Sequence, residues 1–298
     1  MIGSAIRELA AGSSLLAAAT LEGTIEIWDI PAFKQVCQIK GNYAFGAGNL
    51  CMHEQKQQIC AGVSRAKAGI VSAYDSKQGK LLWERRRLHY PNGMHYSVSG
   101  NLVYCAIDKG KVIQLDSNTG EISGVIKDSD QCFEGEHCIF ICPSSGPDYR
   151  IRQKSSNQEV RLGKSSFAAL DVVFSEDTAF LTESGGPIIS VDTLTGCEKW
   201  RHSLSEGSHA LKLHWSPRTK CLYAVLWHYQ RGLFRNLVRL EEKDGRLELV
   251  CEIQNSWGEA FIEATQSLVT TNGDVIDLSN GRAIQKIPFP QKEYKSDV

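Results

Sequence analysis

The sequence predicts an all-β fold, a seven-bladed β-propeller of four-stranded antiparallel blades, on three observations. A short turn grammar recurs along the chain, the runs around it are short and rich in alternating apolar residues, and the recurrences fall at a spacing that suits one blade. The grammar is an acid followed four residues later by Gly, at Asp75 to Gly79, Asp116 to Gly120, Asp192 to Gly196 and Asp277 to Gly281. Glu241 to Gly245 keeps it with the longer acid, Gln153 to Asn157 keeps it with Asn in place of Gly, and Asp29 to Phe33 fits only at the acid. Positions 29, 75, 116, 153, 192, 241 and 277 are separated by 46, 41, 37, 39, 49 and 36 residues, a mean near 41.

Each part of the grammar has a physical reason. An Asp at a strand end accepts hydrogen bonds from the amides just ahead of it, and Gly or Asn supplies the left-handed backbone that re-aims the chain. Before the acid the residues alternate, as in Thr24-Ile25-Glu26-Ile27-Trp28 and Lys111-Val112-Ile113-Gln114-Leu115, and after the Gly a return strand follows, as in Lys80-Leu81-Leu82-Trp83. Four such runs per period make about 28 strands.

Taken in order, each period parses as strands A to D with the acid-to-Gly turn between C and D. Blade one uses residues 4 to 9, 13 to 19, 24 to 29 and 34 to 40, and blade two has Cys51 and Met52 near the end of A, then 58 to 63, 70 to 75 and 80 to 86. Blade three runs from Met94 to Lys127. Blade four, from Gln131 to about Leu162, is expected to be the least regular, because CPSSGPDYR replaces a tight turn. Blades five, six and seven span Phe167 to Leu204, His209 to Ile253 and Ala260 to Pro288. A closed ring leaves only short protected edges, whereas an open solenoid needs capping ends, so residues 1–298 are expected to form one propeller domain. In this parse the two ends share no blade, and closure rests on packing between blades.

Composition narrows the function. A chain of 298 residues buries roughly 75% of its unfolded surface and needs neither metal nor disulfide to hold a core. With a net charge of −1 and 22% charged residues there is no sustained basic field, which disfavours nucleic acid or an anionic membrane as the main partner. Several of the ten cysteines sit in apolar runs, and free thiols of a cytoplasmic protein are the expectation; the alternative for one pair is that Cys132 and Cys138 face each other across the Glu134-Gly135-Glu136 turn and form a bridge. The Ala-rich start is interrupted by Glu8, Ser13 and Ser14, and no apolar run approaches the roughly 20 residues that cross a bilayer.

Two stretches carry a family resemblance. VDTLTGCEKW at 191–200 and YDSKQGKLLW at 74–83 place an acid, a Gly at plus four and a Trp at plus eight, and this resembles the repeat of the quinoprotein-like (PQQ-like) propellers; IEIWD at 25–29 is similar to the WD repeat. The resemblance implies that Trp83 and Trp200 are flat apolar plates between neighbouring blades. Cys37, Gly124 and Gln285 stand at plus eight elsewhere, so those contacts must be made differently. The quinoprotein dehydrogenases with this repeat bind a quinone and calcium beneath adjacent cysteines. This chain has no Cys-Cys pair, so no cofactor is expected.

Metal-ligand spacing is also absent. On a strand Cys138 and Cys142 lie about 13 Å apart, and His209 and His214 have opposite parity, which is expected to point them to opposite faces. No GxSxG elbow, P-loop or HExxH occurs, so no catalytic residue is assigned. The loops joining D to the next A, and B to C, emerge on one face and carry aromatics: Tyr43, Phe45, Tyr90, Tyr229, Phe234 and Trp257, with Arg231 beside them. These types anchor interfaces, and Tyr90, Tyr229, Arg231, Phe234 and Trp257 are the candidate partner-binding residues. The competing reading is that they plug the mouth of the ring, and for Glu84 to Arg87 it is that of a solvated rim strand. The expected function is non-catalytic binding of another protein, which suits an inhibitor or immunity protein covering a toxin's active site. The alternative is a calcium-dependent propeller hydrolase acting on a small molecule.

Overall fold

The computed structural model describes residues 2–4, 6–40, 49–63, 69–107, 110–143, 148–164, 169–183, 186–229, 234–254, 256 and 258–293. After β1 (Ile2–Ser4), the first sheet is β2 (Ile6–Ala11), β3 (Leu15–Thr20), β4 (Thr24–Asp29) and β5 (Lys34–Lys40). The second is β6 (Leu50–His53), β7 (Gln58–Val63), β8 (Gly69–Asp75) and β9 (Leu81–Leu88), and the third β10 (Asn92–Tyr96), β11 (Leu102–Ile107), β12 (Lys111–Asp116) and β13 (Ile122–Lys127). The fourth is β14 (Ser129–Glu134), β15 (Cys138–Pro143), β16 (Asp148–Gln153) and β17 (Glu159–Lys164), and the fifth β18 (Ala169–Phe174), β19 (Thr178–Glu183), β20 (Ile188–Asp192) and β21 (Glu198–His202). The sixth is β22 (Ser208–Ser216), β23 (Cys221–His228), β24 (Arg235–Glu241) and β25 (Leu247–Ile253). The seventh is β26 (Glu259–Ile262), β27 (Ser267–Thr270), β28 (Asp274–Asp277) and β29 (Ala283–Lys286), and β30 (Gln291–Glu293) pairs with β1.

Each of the seven four-stranded sheets is therefore an antiparallel meander from A to D, blade four included, and the described residues contain no α-helix. The fold is the seven-bladed, all-β propeller. Its contacts group into two compact units, one of Met1–Asp108, Val112–Ile126 and Ser256–Val298, the other of Lys109–Lys111 and Lys127–Asn255.

In the first unit, β3 shows how a blade is buried. Its six residues, Leu15 to Thr20, are all buried. Leu15, Ala17 and Ala19 pack with Leu50, Met52 and Ile59 of blade two, while Leu16 and Ala18 pack with Ala260, Ile262 and Val269 of blade seven. Successive side chains point to opposite faces, so a strand between two blades must be apolar on both, and Ala lets the sheets approach. The Ala-rich start is thus core. First and last blades share no strand of a four-stranded sheet and meet through side chains, including Trp28 edge-on to Phe289 at 5.9 Å. They also meet through backbone, since the Ala264 amide donates to the Ser13 carbonyl at 3.0 Å and β1 pairs with β30, so the expectation that closure rests on packing alone is corrected.

The turns confirm the grammar. The Gly79, Gly120, Gly196 and Gly281 amides donate to the carbonyls of Asp75, Asp116, Asp192 and Asp277 at 2.8 to 2.9 Å, and Asn157 does the same to Gln153 with φ of 57°. Phe33 also takes positive φ, 49°, so the most degenerate copy keeps the conformation without Gly. The Asp192 carboxylate accepts the amides of Leu194 and Thr195 at 3.0 and 2.8 Å and the Thr195 hydroxyl at 2.8 Å.

These bonds favour the ionised form and hold the Asp192 carboxyl below its ordinary value, the Thr195 amide contributing most; Asp116 is lowered chiefly by the Asn118 amide and Asp277 by the Ser279 hydroxyl. A depressed folded value means that the stabilisation is complete above the unfolded pKa of about 3.9 and is lost as pH falls through the folded value. Urea titrations at pH 6 and pH 3 are expected to show a smaller acid-induced loss of stability in Asp192→Asn than in the parent. An equal loss would remove this turn from the pH dependence.

Two expectations about side-chain direction are corrected. Cys132 stands opposite Ile141 and Cys138 opposite Gln153, so the two thiols do not face each other. The turn lies further along than the spacing suggested: Glu134 pairs with Ile139 and the Gly135 amide donates to the Cys138 carbonyl at 2.9 Å, so the chain reverses at Glu136-His137. All ten cysteines are free, and burial pushes Cys138 up to about 11 and Cys105 to about 12, which keeps those thiols protonated and unreactive. His209 and His214 stand opposite Trp227 and Tyr223, two residues of the same parity, and therefore share a face. A bulge between Ala210 and Lys212 inserts one residue and inverts the parity. Four strand positions still separate them by about 13 Å.

Candidate partner-binding face

The repeat positions its loops through one contact between neighbouring blades. The Trp83 indole lies on Gly120 of the next blade, and its Nε1 donates to the Ser117 carbonyl at 2.6 Å. Trp200 lies on Gly245 and donates to the Glu242 carbonyl at 2.6 Å. The acceptor in both cases is the residue after the turn acid. Where blade one has Cys37 at plus eight, its thiol donates to the Ser76 carbonyl at 3.4 Å, the equivalent acceptor. Blade four instead rests Val160 and Leu162 on Gly196, and Gln153 Nε2 reaches the Thr193 carbonyl at 2.6 Å. Gly at plus four thus serves the turn and also receives the neighbour's plate.

The opposite ends of the strands form the candidate face. In the second unit the Tyr229 amide, just past strand B of blade six, donates to the carbonyl of Gly207 in the D-to-A crossing at 3.2 Å, and the Tyr229 ring covers Gly207, whose φ is 76°. The two loop classes therefore meet there. His228 stacks on Tyr229 with centroids 5.6 Å apart. Phe234 lines a cavity of about 220 Å³ with Ser205, Ser208, Leu226, Trp227, His228 and Asn236. Trp227 is backed by His209, with ring centroids 5.6 Å apart, and the Ser205 and Ser208 hydroxyls pair at 2.8 Å. Aromatic side chains with hydroxyl and amide groups among the lining residues suit the reception of a side chain from outside.

Tyr90 lies in the first unit, in a crossing where Leu88 and Pro91 close on Gly69 at the start of β8, so here too the B-to-C and D-to-A segments meet. Tyr90, Tyr229 and Phe234 are 44%, 53% and 44% exposed, values too high for core residues. Tyr229 and Phe234 share the blade-six crossing; Tyr90 stands apart from them in sequence and belongs to the other unit. Arg231 and Trp257, with Tyr43 and Phe45, lie outside the described residues. The sequence reading missed Trp227, Ser205, Ser208 and Asn236, which sit at strand ends; the Trp-His pair ahead of the insertion was the available signal. Among the described residues no group of three or more His, Cys, Asp or Glu side chains is placed to hold a metal ion.

A family model described as outer membrane protein assembly factor BamB matches residues 63–219, just over half of the chain and including both Trp-bearing repeats. The chain belongs to this family. Among solved structures, BamB from Moraxella catarrhalis is 13% identical, covers 96% of this chain and 89% of its own, and has a TM-score of 0.60. The WD40 repeats of RRP9 are 11% identical with a TM-score of 0.71, covering 95% of this chain and 91% of their own. The β-propeller domain of Myceliophteria thermophila Cps50 (Swd1) is also 11% identical, with a TM-score of 0.65 and coverage of 94% and 95%. These likenesses show the propeller fold. No curated protein sequence matches the chain. Within the BamB family the shared feature is the repeat scaffold, and a scaffold shared between proteins does not carry a site with it.

Proposed function

We propose that this chain is a non-catalytic β-propeller that binds another protein through the face built from its D-to-A and B-to-C crossings. The observation that carries the reading is the blade-six crossing, where exposed Phe234 lines a cavity with Trp227 and His228, and exposed Tyr229 stacks on His228. Rigid aromatic side chains beside a preformed pocket are the usual anchors of interfaces, and a family described as an assembly factor agrees with a protein partner. Tyr90, Arg231 and Trp257 are proposed as further partner-binding residues, and the proposed address is cytoplasmic.

With the partner obtained by affinity capture, Phe234→Ala is expected to weaken binding at least about tenfold while shifting the melting temperature little, since a hot-spot truncation costs upward of about 2 kcal/mol of binding and Phe234 is already half exposed. Unchanged affinity, or a partner footprint confined to the acid-to-Gly turns, would remove the reading. The inhibitor or immunity role is the special case in which the partner is a toxin whose active site lies under this face; its test is whether the chain abolishes the partner's activity at equimolar ratio. Calcium raising the melting temperature would favour the hydrolase alternative.

A further inference from the structure

We propose that the outer strand of blade two, β9, is a docking edge for an acidic, extended segment of a partner protein, separate from the loop face. Between residues 76 and 89 the chain carries Lys77, Lys80, Arg85, Arg86 and Arg87 against Glu84 alone, although its net charge is −1. β9 is the last strand of its sheet, and among the described residues no further strand pairs with it. Every second backbone N–H and C=O of such a strand points away from the sheet, ready to pair with an added strand.

The side chains add direction to that edge. Leu81 and Leu82, both nearly half exposed, begin the strand, and the arginines end it. Arg85 stands opposite Val71 and Arg86 opposite Ile70, on successive positions, so cationic side chains flank the edge on both faces of the sheet. Arg86 is paired with Glu84 at 2.5 Å. Arg87 occupies a bulge between the Gly69 and Ile70 pairings with φ of 65°, a conformation that favours Gly. A long charged residue there adds local strain and turns its guanidinium out of the regular alternation. Edge charges ordinarily deter pairing with any other strand. Charges of a single sign deter basic and neutral strands, and they invite one whose alternate residues are acidic. The complementary occupant carries apolar residues toward Leu81 and Leu82 and carboxylates toward Arg85 and Arg87.

The test uses a fluorescein-labelled peptide of about ten residues, alternating valine and glutamate with leucines at one end, titrated into the full chain and followed by anisotropy. The glutamate peptide is expected to bind at least about tenfold more tightly than its lysine counterpart, and backbone N-methylation at alternate residues is expected to remove most of that binding. Arg87→Gly suits the local φ and keeps the fold, and it is expected to weaken the peptide severalfold; Arg85→Glu with Arg87→Glu is expected to abolish binding with the melting temperature retained. Equal binding of the two peptides, indifference to N-methylation, indifference to the arginine variants, or tighter binding of oligouridylate or of phosphatidylserine vesicles would each overturn the proposal. Phe234→Ala is expected to leave this binding unchanged, and its loss in that variant would also overturn a separate edge site.

Discussion

Replacing Trp83 with Ala is expected to destabilise the protein by roughly 3 to 5 kcal/mol, read as a lowered urea midpoint with little change in slope. The indole is only 8% exposed and packs among Val71, Val103, Cys105 and Leu115, so its removal opens a cavity between two blades that rigid sheets cannot close. The cavity, not the lost hydrogen bond, sets the size of the effect. Ser117 keeps a second donor, Gln58 Nε2 at 2.8 Å, so its carbonyl is not orphaned when the indole N–H goes. Trp83→Phe, which retains much of the plate, is therefore expected to cost less than half as much as Ala. Trp200→Ala should show a comparable loss, because that ring is 9% exposed and stacks obliquely on Phe180 at 5.9 Å. A loss below about 1 kcal/mol at both positions would contradict the role of the plate.

Gly120→Ala is expected to cost about 2 to 5 kcal/mol, the sum of a left-handed backbone and an overpacked contact. The φ of Gly120 is 72°, and a Cβ built there would lie 2.5 Å from Cε3 of Trp83. The ring cannot withdraw easily, because its Nε1 is held by Ser117. The two effects separate in a double variant. With Trp83→Ala in the background the clash disappears and only the backbone term remains, so the double variant should be more stable than additivity predicts by about 1 to 3 kcal/mol. Strict additivity would show that Gly120 is required for its backbone alone. The same logic applies to Gly245 beneath Trp200, with φ of 66° and a contact of 2.6 Å.

These two effects link the repeat to the proposed function. Plates and turns occupy one end of the strands, so the crossings at the other end are free to vary in length and residue type without disturbing packing between blades. Blade six uses that freedom for the insertion that carries Tyr229 and Phe234.

With the place of both Trp plates taken from the resemblance to the PQQ-like repeat, the sequence by itself determined the number of blades and the four-strand meander. It could do so because each rests on local chemistry: an Asp that caps its own turn, a Gly or Asn that accepts positive φ, and apolar alternation at strand period. Asn157, with φ of 57°, was legible for that reason. Only the tertiary structure decided what depends on register or on residues distant in sequence. One inserted residue near Leu211 placed His209 and His214 on the same face, since a register shift of one inverts every side chain beyond it, and the pairing of Glu134 with Ile139 set Cys132 opposite Ile141, three residues past Cys138. The role of Cys37 as the stand-in for a Trp needed the Ser76 carbonyl, 39 residues away, to be brought to its thiol. The cavity under Phe234 likewise joins Ser205 and Ser208 to Trp227 and Asn236 across three chain segments, and no local pattern encodes where three segments meet.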